Sequence, residues 1–345
     1  MKRAVIVYAG LLLVALVLSY RSWTHEGDVD LSEATVVIAG DPEDLEGIDY
    51  SSDKIDVSLD VLEDAYGKYV WVTATPKGTA EKKEEDAKEP PDPHAPPKEE
   101  EDDGKAEEFK AGKSGDTIVE GMAPFVVKRQ LEGVTDDQLA ELGLSPPEGT
   151  LTIRRKGRDP KSFELGGGSY GGSNFYARDP EDGKIYLVDG TLIRPLQSAK
   201  RTLPDRTLVG VANNEIEKIE VRAGEASATF VQHNPDDAEA NFWSTAGSEA
   251  KNAAAATWVD KTLAMRSSSY IPASAEPEGL EEAFSFTAFT SEKKQVTVTI
   301  YRAWVEGGEE SWYARSEHTR ALVQLHRSAA SDAHADLATV LDSGA

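Results

Sequence analysis

Four short segments of alternating apolar and polar residues occur twice in the same order, and this repetition limits the fold more than any other feature of the chain. The first set reads LTIRRKG, KSFELGG, NFYARD and KIYLVDG, beginning at Leu151. The second reads FSFTAFT, QVTVTIYRA, SWYARS and ALVQLHR, beginning at Phe284. Period-2 alternation marks half-buried strands. The tripeptide Tyr176-Ala177-Arg178 matches Tyr313-Ala314-Arg315, and ten residues after each tyrosine comes the middle of the next strand, at Tyr186 and Val323. Each set is followed by a helix-like stretch, TLIRPLQ and SDAHADLATVLD. The pattern predicts two related copies of a four-stranded β-meander followed by a helix.

The remaining segments extend this α+β plan of antiparallel sheets with a few packing helices. Strand-like bursts fill residues 34–75 (ATVVIA, KIDVSLD, YVWVTAT), and EIEKIEVRA and SATFVQH lie between the two copies. Residues 116–131 predict a helix interrupted by Pro124. Thr135 and Gln138 form a capping-box pattern that opens a short helix closed by Gly143. Asn252 can cap AAAATWVDKTLAM, with Ala256, Val259 and Leu263 as its buried stripe. Residues 77–110 hold 13 acidic and 7 basic residues and five prolines. Such a tract offers no core and is expected to be disordered. The predicted organisation is an anchor over 1–23, a first β segment over 24–76, an acidic insertion over 77–110, the first copy with its preceding helices over 111–210, and connecting elements plus the second copy over 211–345.

The chain begins with a second constraint. Ala4 to Tyr20 is a run of 17 residues without a charge, ten of them Val, Ile or Leu. It includes Val5, Leu11, Leu12, Leu13, Leu16 and Leu18, and it sits at the short end of what spans a bilayer. Lys2 and Arg3 precede it, while Glu26, Asp28 and Asp30 lie beyond Arg21. The positive-inside rule then predicts a single-pass N-terminal transmembrane helix with the body on the far side of the cytoplasmic membrane. A cleaved signal peptide is the alternative, although LSYRSW supplies no good A-x-A-like site.

Composition excludes several classes of function. A formal charge of -25 opposes nucleic-acid binding, because phosphate must meet Lys and Arg. The cluster Arg154, Arg155, Lys156, Arg158 reads as a solvated hairpin tip. The absence of cysteine excludes disulfides, thiolate catalysis and Cys-type zinc sites. Gly166 to Gly171 formally satisfies G-x-G-x-x-G, but a strand rather than a helix follows, so the glycines serve a loop. Ser51-x-x-Lys54 reads as a polar turn. His318, His326 and His334 recur at intervals of eight, which fits no metal motif, and they are taken as surface histidines. No catalytic, metal or cofactor residue is therefore assigned. The polar positions of interest are Tyr176, Arg178, Tyr313 and Arg315, where each guanidinium can brace a neighbouring strand or bind a partner or an anionic ligand through its fork.

LAELGLSPPEGTLTIRRKG followed by FELGGGSYGGSNFYARDPEDGKIYLVDG resembles the DUF4340 family, whose members carry an ELGL-x-P step, a YAR strand and a VYLV strand. The anchor, the strand around Trp71 and the helix with Trp258 are also similar. That resemblance implies a bacterial membrane-anchored protein, of a kind often encoded beside gliding-type ABC transporter components, and no catalytic residue. The expected function is a non-enzymatic accessory or scaffold protein outside the cytoplasmic membrane, with transporter or auxiliary membrane subunits as partners. The alternative is a ligand- or glycan-binding module using Trp243, Trp304 and Trp312 as stacking platforms.

Overall fold

The computed structural model describes residues 34–78, 104–304 and 310–344. The run at residues 4–20 and its six named apolar residues lie outside them. Among the described residues no helix is long and apolar enough to cross a membrane.

The described body is β-rich and antiparallel. Its first half contains β1 (Thr35–Ile38), β2 (Leu45–Ser52), β3 (Ile55–Asp64), β4 (Gly67–Pro76), β5 (Glu107–Lys110), β6 (Phe125–Val127), β7 (Arg129–Leu131), β8 (Gly149–Arg155), β9 (Lys161–Gly168), β10 (Asn174–Arg178) and β11 (Ile185–Asp189). Its helices are α1 (Lys113–Met122), α2 (Asp136–Glu141), α3 (Gly190–Gln197) and α4 (Ala199–Thr202). The second half contains β12 (Ile216–Ala223), β13 (Ala226–His233), β14 (Phe242–Thr245), β15 (Ser267–Ile271), β16 (Glu281–Thr290), β17 (Gln295–Trp304), β18 (Glu310–Ser316) and β19 (Leu322–Leu325), with α5 (Ala253–Ala264) and α6 (Arg327–Ser343).

Two large sheets result. The first runs β5-β4-β3-β2-β8-β9-β10-β11-β7, and the second β14-β13-β12-β16-β17-β18-β19-β15. With β5 set aside, the two orders coincide strand for strand. In each, three early strands join a later four-strand meander through its first strand, and a separate short strand closes the far edge. The segment 45–76 therefore shares a sheet with residues 149–189. Alternation decides which face is covered. Ile55, Val57 and Leu59 of β3 are buried while Asp56, Ser58 and Asp60 face outward. The apolar face of the first sheet packs on α1 and α3, and that of the second on α5 and α6, giving two cores.

Local chemistry explains where elements stop. α2 carries the capping box: the Thr135 N–H donates to Gln138 Oε1 at 2.9 Å, and Gly143 follows in the left-handed conformation. The helix expected over 116–131 ends at Met122. The residue before a proline is driven to extended backbone, and Ala123 has φ −148° and ψ 94°. Phe125 and Val126 then belong to β6, which pairs with β1. The end of the acidic tract is also ordered: Glu107–Lys110 forms β5, because Phe109 is fully buried and β4 offers an open edge. In α5, Asn252 accepts from the Ala255 N–H at 2.9 Å, but the buried face is Ala255, Trp258, Val259 and Thr262. Ala256 and Leu263 flank it, because the indole of Trp258 turns inward, donates to Ala333 O at 2.9 Å and packs on Phe284 and Phe286.

Candidate functional site

The first sheet ends in a cavity of about 690 Å³, within the size range of ligand pockets. Its walls come from the turn after β2, the segment before β8, and α3. Tyr50, Leu165, Phe175 and Ile193 supply ring and aliphatic surface, while Asp53, Lys54, Glu148 and Gln197 stand at the polar edge. Burial pushes the Tyr50 phenol above its ordinary value, partly offset by hydrogen bonds with Ser52 and Gln197.

The ELGLSPP and FELGGG motifs build one wall. The Gly167 N–H donates to Leu142 O at 2.9 Å, and a Cβ on Gly166 would stand 2.2 Å from that same oxygen. Glycine is therefore required at 166 for the loop after α2 to lie against β9. The Glu148 N–H donates to Leu165 O at 2.9 Å and brings the Pro146-Pro147 segment over the sheet end. The glycines of the G-x-G-x-x-G pattern lie at the end of β9 and in the loop before β10.

The YAR positions diverge between the halves. Arg178 stands opposite Glu164 in the β9–β10 register, and its Nε donates to Glu164 Oε2 at 2.6 Å. Arg315 stands opposite Thr299 and reaches instead to Glu276, 2.5 Å away, in the segment between β15 and β16. Tyr176 is half-buried on the outer face of its sheet. Tyr313 is buried in a small third cluster with Ala303 and Leu322. Arg315 also borders two adjoining grooves between the halves, together with Arg320. Arg320 forms an ion pair with Asp64 (Nε–Oδ2 2.6 Å) at the tip of the β3–β4 hairpin and lies over the rings of Tyr66 and Tyr69.

A polar stitch between the halves went unpredicted. Asp205, on the connection between the sheets, accepts from Lys110 Nζ at 2.9 Å and lies 2.7 Å from His318 Nε2. It also accepts from the Thr207 N–H (3.0 Å) and hydroxyl (2.7 Å). Lys110 belongs to β5, and His318 to the turn after β18. The side chains of Lys110, Asp205 and His318 are only 12%, 14% and 17% exposed, so His318 is not a surface histidine. Burial alone would raise the Asp205 pKa. The hydrogen bonds from His318 and Thr207, with the charge of Lys110, outweigh it and hold the carboxyl well below the usual carboxylate range. The Tyr270 hydroxyl donates to Asp205 main-chain O at 2.7 Å, and burial together with the charge of Asp205 pushes its phenol up. Among the described residues, no group of three or more His, Asp and Glu is placed to hold a metal ion.

The basic cluster at the β8–β9 tip is largely engaged at home. Arg154 bridges Asp49 and Asp60 at 2.8 and 2.7 Å, Arg155 donates to Ala39 O, and Lys156 donates to Glu43 O. Trp243 and Trp312 are core residues, while Trp304 is 52% exposed.

No curated protein and no solved structure matches the chain. A family model described as a domain of unknown function, DUF4340, matches residues 116–283, from within α1 to the start of β16. The matched stretch contains the glycine wall, the whole first meander, α3 and Asp205, and it crosses from one sheet to the other. Over residues 116–283, just under half of its length, the chain is similar to the DUF4340 family.

Proposed function

We propose that this protein is a non-enzymatic accessory or scaffold protein, held by its N-terminal apolar run on the outer face of a bacterial cytoplasmic membrane, where its β-rich body engages a membrane protein partner of the ABC-transporter type. The observation that carries this reading is the Lys110–Asp205–His318 stitch. It ties β5 of the first half and the β18–β19 turn of the second to one carboxylate on the connection between them. A buried ion network in this place resists relative motion of the halves, which suits a body that presents surfaces at fixed separation. The likeness of the two strand orders supports a duplicated module, so that two related surfaces are offered together. The family resemblance supports the membrane and transporter context by association only.

The test is chemical cross-linking of the tagged full-length chain in its native membrane, followed by mild detergent extraction and mass spectrometry. Specific recovery of permease-type or auxiliary membrane subunits is expected. Recovery of the chain alone, at native expression and with effective cross-linking, overturns the proposal.

A further inference from the structure

The two sheets can be aligned residue by residue through the YAR strands. In the second half, Ile300 pairs with Ala314 and Phe284 with Ile300. In the first half, Leu165 pairs with Ala177 and Gly149 with Leu165. Gly149 therefore occupies the place that Phe284 occupies in the second sheet, and Phe175 the place of Trp312. Phe284 is fully buried, 5.9 Å from the Trp258 ring and stacked at 6.3 Å on His334. The helix above differs as well. α6 has 17 residues and covers its sheet as far as β13, whereas α3 has eight and contains Pro195. At about 1.5 Å per residue, α3 covers roughly half the distance. Gly149 lines the cavity of the first half at the register position where the second half carries its own aromatic filling, and a Cβ built there would stand 2.7 Å from Ser51 O, so the chain cannot supply a ring from this position itself.

From this correspondence we infer that the cavity receives an aromatic side chain of the partner protein, flanked by cationic residues. The inference rests on the accessory reading above. Phe284 in the second half shows the kind of group this place in the fold accommodates, a ring on apolar strand residues beneath a helix. The Tyr50 and Phe175 rings and the Leu165 and Ile193 side chains provide the matching surface. Charge sets the flanks. Asp53 and Glu148 outnumber Lys54 at the rim, and the chain carries -25 overall, so an incoming segment bearing Lys or Arg is steered in and an acidic one is opposed.

The experiment titrates the full-length protein in detergent with three capped tripeptides: lysine-phenylalanine-lysine, lysine-alanine-lysine and glutamate-phenylalanine-glutamate. The expected result is saturable binding of the first, about tenfold tighter than either of the others. Gln197→Trp and, separately, Thr150→Trp place a ring in the mouth from exposed positions and are expected to abolish that preference with the thermal midpoint unchanged. Equal binding of the phenylalanine and alanine peptides, or a preference that survives both variants, overturns the inference. So does saturable binding of methyl glucoside in place of the peptide. Native-membrane cross-linking of Gln197→Trp separates the two proposals. A partner recovered undiminished removes the cavity from the contact and leaves the accessory reading standing. If neither chain recovers a partner, the accessory reading falls and the peptide titration decides the cavity alone.

Discussion

Replacing Asp205 by Asn tests the stitch at its centre. The amide keeps the size of the carboxylate and one oxygen for the Thr207 donors, so the local turn survives. It removes the negative charge that Lys110 Nζ meets at 2.9 Å and His318 Nε2 at 2.7 Å. A charge-assisted hydrogen bond contributes about 1.5–3 kcal/mol, and breaking a buried pair while leaving its partner behind costs about 3–5 kcal/mol. With the Lys110 and Asp205 side chains only 12% and 14% exposed, solvent compensates little, and the expected loss is about 3 kcal/mol. Lys110→Met in the same background should return about 1.5 kcal/mol, because the orphaned ammonium goes with it. Urea unfolding followed by tryptophan fluorescence measures both. The pH dependence has a definite sign. A carboxyl held below its unfolded value contributes stability that is complete above an unfolded pKa of about 4 and is lost as pH falls through the folded value. Wild type should therefore lose more stability than Asp205→Asn between pH 6 and pH 2, and the two curves should converge in acid. A loss below about 0.5 kcal/mol at pH 7, the range of an ordinary surface change, would refute the reasoning.

Three further outcomes follow from the packing. Phe284→Ala should cost about 3–4 kcal/mol in chemical denaturation, since the ring is fully buried between Trp258 and His334. Gly166→Ala should cost about 2 kcal/mol and speed hydrogen exchange at the Gly167 amide, because the new methyl displaces Leu142 O from the wall of the cavity. Arg178→Ala should cost about 1 kcal/mol and Arg315→Ala less than about 0.5 kcal/mol, since the Arg178–Glu164 pair is the more buried and lies directly across two paired strands.

What the sequence disclosed was whatever depends on neighbours in the chain. The eight meander strands and the capped helices at Thr135 and Asn252 have local signals of periodicity or capping, whereas the glycine run, read as a loop, keeps Gly166 to Gly168 in β9 and leaves only Gly171 to the loop. What it hid depends on distant partners. β5 carries one apolar residue, Phe109, and becomes a strand only because β4 needs an edge partner. The inward face of α5 is decided by a tryptophan that meets Ala333 across the core. His318 looked like one of several scattered histidines, and only the folded connection brings it to Asp205 and Lys110. Gly149 is silent as a residue, and its meaning emerges only when the strand registers set it against Phe284. Arg178 and Arg315 did share a signal, but the change from Glu164 to Thr299 across the ladder gives them different partners.

The account is tested most directly by installing a photo-reactive benzoyl-phenylalanine in place of Lys54, exposed at the rim of the cavity, in the full-length chain and irradiating cells at native expression. The account predicts a discrete adduct with one membrane protein, lost when residues 1–23 are deleted and absent when the probe is moved to Glu225 on the turn of the second sheet. An adduct pattern identical at both positions, or a chain that remains unadducted in intact cells, would contradict it.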